Sequence, residues 1–139
     1  MSGTDAGAVV SRFITCLAAL DVPGMAACLS DDVVLELPAA PEGMPREVVG
    51  LAAFRGFFEP VAALWDRFEL NDLAVHPSAT EPGTVFLEYD SDASNDRGMA
   101  YANTYLSKAT VREGRIVRYR EMFDAAAASR LVAQLTHRA

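Results

Sequence analysis

Two cysteines in 139 residues cannot make a disulfide framework. Cys16 and Cys28 both fall in stretches that read as helix, so we expect reduced, buried, small apolar side chains in a cytoplasmic protein. Histidine is equally scarce. Only His76 and His137 are present, far from the cysteines, so no local metal-ligand spacing exists and neither a metal nor a cofactor is expected. Basic residues are few: 12 Lys and Arg face 19 Asp and Glu, for a net charge of −7. With no basic cluster, nucleic acid and anionic membrane surfaces are poor partners. No apolar run approaches the roughly 20 residues a bilayer span needs. The start, MSGTDAGAVV, lacks a basic segment leading into an apolar core, so no signal peptide is expected. Internal repeats are absent, and the alanine run after Asp124 is the only low-complexity stretch.

What is present suits one globular domain over residues 1–139, with 51% hydrophobic and 22% charged residues. Thr4-Asp5 marks a helix start, and Val9, Phe13, Leu17 and Leu20 follow at helical spacing. Asp21-Val22-Pro23-Gly24 ends that helix, and Pro23 opens a short second one to about Leu29. A strand is predicted over Val33–Leu37. Residues 38–50, with three prolines and two glycines, read as a loop at a pocket rim. A third helix is predicted from about Leu51 to Asp66, with Leu51, Phe54, Phe58, Val61 and Trp65 on one stripe and Phe57 beside it. Pro60 inside it implies a kink near Phe57, or two short helices. Phe68–Val75 alternates, with a phase slip that a β-bulge at Asn71-Asp72 explains. His76–Gly83 is a turn with an exposed His76. Val85–Tyr89 is a strand with Phe86 and Glu88 on one face, and Ser91–Gly98 is a polar loop.

The most informative stretch is Tyr101–Asp124, YANTYLSKATVREGRIVRYREMFD. It reads as a hairpin whose turn is Arg112-Glu113-Gly114-Arg115, with Gly114 free to take positive φ. Tyr101, Asn103 and Tyr105 share a face of the first strand. On the return strand Val117, Tyr119, Glu121 and Phe123 share one face, and Ile116, Arg118, Arg120 and Met122 the other. Glu121 thus stands among aromatic and aliphatic side chains. Such a carboxylate is either a desolvated acid/base group, or a structural one that pairs with Arg118 or Arg120 or makes a hydrogen bond that fixes the strand. Glu88 is a candidate second pocket carboxylate, or a group paired with an arginine or exposed at a dimer face. Tyr101, Asn103 and Tyr105 are candidates to orient a substrate or polarise a carbonyl, or to satisfy one another or the backbone. Phe57, Phe58 and Trp65 fit a pocket wall or plain core. Asp124 precedes Ala125 and caps a closing helix to about Gln134.

Helices first, one strand, a long helix and four consecutive antiparallel strands make an α+β fold rather than alternating α/β. Helices covering one face of a curved sheet would leave a cone-shaped cavity. VFLEY, then YANTY, then VREGRIVRYREMFD resembles the nuclear transport factor 2-like superfamily, in particular its SnoaL-like branch and the phenazine biosynthesis protein A/B group. The resemblance covers nearly the whole chain in element order. It implies a curved mixed or antiparallel sheet wrapped into a cone by N-terminal helices, an apolar pocket as in ketosteroid isomerase-like folds, and a homodimer. The family's Arg-Glu motif falls on Glu121, whose counterpart in phenazine proteins is taken as an acid/base group. Two departures stand out: Ala125 replaces the family's frequent proline, and the loop between Glu88 and Tyr101 is short, so the phenazine substrate does not carry over. Near Leu37 and Pro38 there is no Asp of the kind ketosteroid isomerases use as base. The resemblance implies a small cofactor-free enzyme for isomerisation, dehydration or cyclisation of an apolar molecule, with Glu121 moving the proton. The alternative is a non-catalytic ligand-binding or dimerisation module.

Overall fold

A computed structural model describes residues 5–137. Helix α1 (Ala6–Ala18) begins at Asp5, whose carboxylate accepts the Gly7 amide at 3.0 Å and so satisfies one of the orphan first-turn N–H groups. Thr4 of the expected start lies outside the described residues. Val9, Val10, Phe13, Ile14 and Leu17 are buried on one stripe of the helix. Helix α2 (Val22–Ala27) repeats the device, with Asp21 accepting from Gly24 N at 3.0 Å and Pro23 in the first turn.

The strands are β1 (Leu29–Glu36), β2 (Glu47–Val49), β3 (Arg67–Pro77), β4 (Thr84–Ser94), β5 (Ala100–Arg112) and β6 (Arg115–Phe123), with helix α3 (Leu51–Leu64) between β2 and β3 and α4 (Ala125–His137) at the end. They form one six-stranded sheet in the order β2-β1-β6-β5-β4-β3. Only β1 and β6 run parallel; every other pair is antiparallel. Helix α1 lies across β3 to β6, and α3 covers β1 and β2. The fold is therefore α+β, with helices on one face of a curved mixed sheet. Phe13 of α1 stands in the middle of the core, its ring 5.2 Å from that of Tyr119 on β6 and 6.5 Å from that of Phe54 on α3.

The expected bulge on β3 is present. Pairing with β4 slips between Asn71 and Ala74, and Asp72 takes φ +57°, a left-handed conformation that Asp tolerates better than most residues. The hairpin turn between β5 and β6 also forms as expected, with Glu113 and Gly114 at φ +52° and +77°, the pair of positive values a tight two-residue turn requires. Helix α3 runs through Pro60 as a single element. The bond Pro60 cannot donate falls on the carbonyl of Gly56, a position with open space around it.

Three expectations change. Strand β2 pairs with β1 inside the segment read as loop, because Val48 is buried between two exposed neighbours and docks a three-residue strand. Strand β4 extends to Ser94, well past Tyr89. Its inward residues there are Ser91 and Ala93, both buried but of low β-propensity, which hid the continuing alternation. Finally, Ile116 is fully buried rather than on the outer face. Pairing of β5 with β6 skips Val117, since Thr110 faces Arg118 and Val111 faces Ile116. One extra residue flips the phase, so Ile116 points inward with Tyr119.

Candidate functional site

Between the helices and the concave face of the sheet lies a cavity of about 110 Å³. Apolar cavities of about 150 Å³ take up benzene, so its enclosed part is on the scale of one small ring. Helix α3 contributes Phe57, Phe58 and Val61, and Trp65 follows at its end. Of the helix stripe, Phe54 and Trp65 are buried, while Phe57, Phe58 and Val61 stay half-buried because they border the cavity. Leu17, Leu35, Leu37 and Leu70 close the floor, and Met44 and Leu131 come from the 38–50 segment and from α4. Into this apolar lining the sheet brings Glu121 and three tyrosines, Tyr89, Tyr101 and Tyr105.

Glu121 is the one carboxylate in the lining. Strand alternation puts it on the inner face of β6 between Tyr119 and Phe123, opposite Ser107. The surface it keeps faces the cavity, and the surrounding rings leave the carboxylate poorly solvated. Desolvation pushes its pKa from 4.5 up to about 7, and a hydrogen bond from Tyr89 pulls against that rise. Neither arginine that might have neutralised it does so. Arg118 pairs with Glu36 at 2.9 Å, and Arg120 is exposed on the opposite face.

The tyrosines are wired in two chains. Tyr89 Oη donates to Glu121 Oε2 at 3.1 Å and lies 3.0 Å from Tyr119 Oη. Because its single hydrogen is spent on Glu121, Tyr119 must be the donor to Tyr89. In the second chain Ser91 Oγ and Tyr105 Oη are 2.9 Å apart, and Tyr105 reaches Tyr101 Oη at 3.4 Å. Asn103 Nδ2 donates to Tyr101 Oη at 2.7 Å. Aromatic stacking fixes both: Tyr89 on Tyr105 at 4.8 Å, and Trp65 on Tyr101 at 6.4 Å between centroids. Burial raises the pKa of all four tyrosines, so each stays a neutral phenol at ordinary pH.

The sequence candidates thus divide. Glu121, Tyr101, Tyr105, Phe57, Phe58 and Trp65 border one cavity. Asn103 shares the face but is buried and fully committed: Nδ2 also donates to the Asp124 carbonyl at 3.1 Å, and Oδ1 accepts the amides of Thr104 at 2.7 Å and Asp124 at 2.9 Å. It positions Tyr101 and the β6–α4 junction, with no atom left for a ligand. Glu88 is a correction. Its face of β4 is the outer one, and its carboxylate pairs with His76 Nε2 at 2.9 Å in the open. Val85, Leu87 and Tyr89 hold the inner face, and three apolar residues at that phase were the signal for it. The same phase would have found Tyr89, the donor to Glu121. His76 is exposed as expected but belongs to β3, not to a turn. Asp124 caps α4 as expected, accepting the Ala126 amide at 2.9 Å. Replacing Glu88 by Gln should leave ligand affinity unchanged and shift stability by less than about 1 kcal/mol; a clear loss of affinity in titration would return Glu88 to the site.

Among the described residues no three His, Cys, Asp or Glu side chains stand close enough to hold a metal ion, and no helix is long and apolar enough to cross a membrane.

A cone of sheet and helices around an apolar cavity with one buried carboxylate defines a class of small-molecule pocket proteins. The chain belongs to the SnoaL-like domain family, whose profile matches residues 10–119. It is 28% identical over 114 residues to the uncharacterized protein YesE of Bacillus subtilis, a match covering 81% of this chain and 77% of that one. A solved Bacillus subtilis structure, provisionally called an isomerase, superposes with a TM-score of 0.80 at 25% identity, over 92% of each chain. The BvnE pinacolase of Penicillium brevicompactum shares the fold with a TM-score of 0.78 at 16% identity, over 95% of this chain and 94% of that one.

Proposed function

We propose that this protein is a cofactor-free enzyme that moves a proton on an apolar small molecule, with Glu121 as the base and acid. The observation that carries the reading is one buried carboxylate, its pKa raised by desolvation and unpaired with any cation among the described residues, inside an otherwise apolar ring-sized cavity. A pKa near the working pH lets one group both take and return a proton. Isomerisation, dehydration and cyclisation all reduce to that exchange, and the name isomerase carried by one similar structure is in keeping with it. Phe57, Phe58 and Trp65 would hold the ring, and Tyr101 and Tyr105 would orient its polar end. The test is α-proton exchange in D₂O, followed by NMR, on a panel of small cyclic ketones. Wild-type protein is expected to accelerate exchange and Glu121→Gln to lose it. No acceleration across the panel, with binding intact, would favour a ligand-binding module instead.

The protein is further proposed to be a homodimer through the outer sheet face. Leu106 and Met122 sit directly opposite one another across β5 and β6, 56% and 40% exposed, with Phe86 on the same side of β4. An apolar patch of this kind favours association with a second copy. Sedimentation at micromolar concentration should give twice the chain mass; a monomer alone would overturn this.

A further inference from the structure

We propose that the cavity also takes small lipophilic amines as their ammonium ions, with Glu121 as the counter-ion and the aromatic wall as a cation-π cage. Glu121 serves there as a charge partner whether or not it also moves a proton, so the two roles stand or fall separately.

The lining is unbalanced in charge. Of its 17 residues Glu121 is the one ionic group, and no Lys, Arg or His joins it. The arginines of its own strand lie on the outer face, Arg118 on Glu36 at 2.9 Å and Arg120 opposite Lys108. Buried charges are ordinarily paired. Here the fold supplies no partner, so a ligand carrying the missing charge gains what the protein leaves unmatched. The carboxylate also has an oxygen free to accept. Oε2 takes the Tyr89 hydroxyl at 3.1 Å, while Oε1 has no hydrogen bond from any described residue.

The walls favour the same ligand. Eight of the 17 lining residues are aromatic. Phe123 stands two residues from Glu121 on the same face of β6, Tyr105 is directly opposite Phe123, and Tyr89 stacks on Tyr105 at 4.8 Å. Ring faces carry partial negative charge, so they attract a cation and repel a second anion. An ammonium donating to Oε1, with its hydrocarbon body against these rings, gains a charge-assisted bond and apolar contact together. The cavity of about 110 Å³ restricts the amine to one small ring.

Glu121 is also the one group of the lining that titrates between pH 5 and pH 8. Tyr89 on β4, Tyr101 and Tyr105 on β5, and Tyr119 beside Tyr89 are kept as neutral phenols by burial, and α1, α3 and α4 bring no titratable side chain to the lining. Desolvation holds the Glu121 carboxyl at about 7, and a cation beside it favours the ion. Amine binding should therefore displace a proton and weaken as the pH falls below 7. An aliphatic amine stays charged throughout, with a pKa of about 10.4 as in lysine.

Cyclohexylamine is the probe and cyclohexanol its neutral counterpart, both titrated by calorimetry at pH 8 and pH 5. At pH 8 wild type should prefer the amine by about tenfold, the lower end of what a hydrogen bond to a charged group is worth, since the ammonium must leave water. The preference should shrink at pH 5. Glu121→Gln should lose it at both pH values while still binding cyclohexanol. Equal affinities in wild type at pH 8, no detectable binding of the amine, or a preference that survives in Glu121→Gln would overturn the ammonium site. If the variant binds neither compound, the pH dependence in wild type decides. An amine preference without α-proton exchange on the ketone panel would sink the catalytic reading and leave the ammonium site standing; exchange without the preference would do the reverse.

Discussion

Glu121→Gln is expected to lower the rate of proton transfer by about 10²–10⁴, the usual worth of a general acid/base group, and to make the protein more stable at pH 8. The two effects share one cause. The folded state holds this carboxyl at a pKa of about 7, against 4.5 when solvated, because burial disfavours the ion. Between those values the native state binds more protons than the unfolded state, so stability falls as pH rises. The loss begins near pH 4.5 and is complete just above 7. Its size is on the order of 3 kcal/mol, from about 1.36 kcal/mol per pKa unit. Glutamine keeps the shape and still accepts the Tyr89 hydroxyl, but carries no charge to desolvate. Urea unfolding at pH 5 and pH 8 tests this with no substrate in hand. Wild type should lose stability between the two pH values and the variant should lose much less. Equal losses in both would mean that Glu121 is solvated in the native state. The rate should rise with pH to a plateau above about 7, since the base form is the active one.

That Glu121 could be singled out from the chain alone follows from how sheets encode position. A period of two is easily read, and a lone carboxylate among Tyr119 and Phe123 breaks it visibly. The tight turn at Glu113-Gly114 and the bulge at Asp72 were legible for similar reasons, since each disturbs a local rule at a residue suited to the disturbance. Two features were harder. Strand β4 offered two faces with aromatic residues, Phe86 on one and Tyr89 on the other, and only the longer apolar phase of Val85, Leu87 and Tyr89 separates them. The flip at Val117 is a tertiary event: β1 lies parallel beside β6 with Leu29 facing Ile116, and no local pattern announces it. Hydrogen directions were also out of reach. They depend on Asn103 meeting the backbone of Asp124, 21 residues away, a contact that no spacing rule supplies.

Asn103 makes the same point as a prediction. Its amide forms four hydrogen bonds with almost no exposure. Asn103→Ala strands the amides of Thr104 and Asp124 and the Asp124 carbonyl at the junction where α4 begins. With about 1–3 kcal/mol for each buried group left unpaired, and relief by water for the exposed Thr104, a net loss of about 3 kcal/mol is expected. In a domain of this size that lowers Tm by roughly 10 °C. A drop of only a degree or two in calorimetry would mean that the network is dispensable. Asn103→Asp is the sharper variant. Its carboxylate still accepts the two amides, but where Asn103 donated to Tyr101 it now accepts. That oxygen also comes to face the Asp124 carbonyl, which the Asn103 nitrogen had satisfied at 3.1 Å, so a buried carboxylate is set against an acceptor. Asn103→Asp should therefore be less stable than wild type at pH 8 and recover part of the loss as the pH falls, when its carboxyl takes a proton and can donate again. An Asn103→Asp protein as stable as wild type at pH 8 in urea unfolding would show that the two donated bonds contribute nothing.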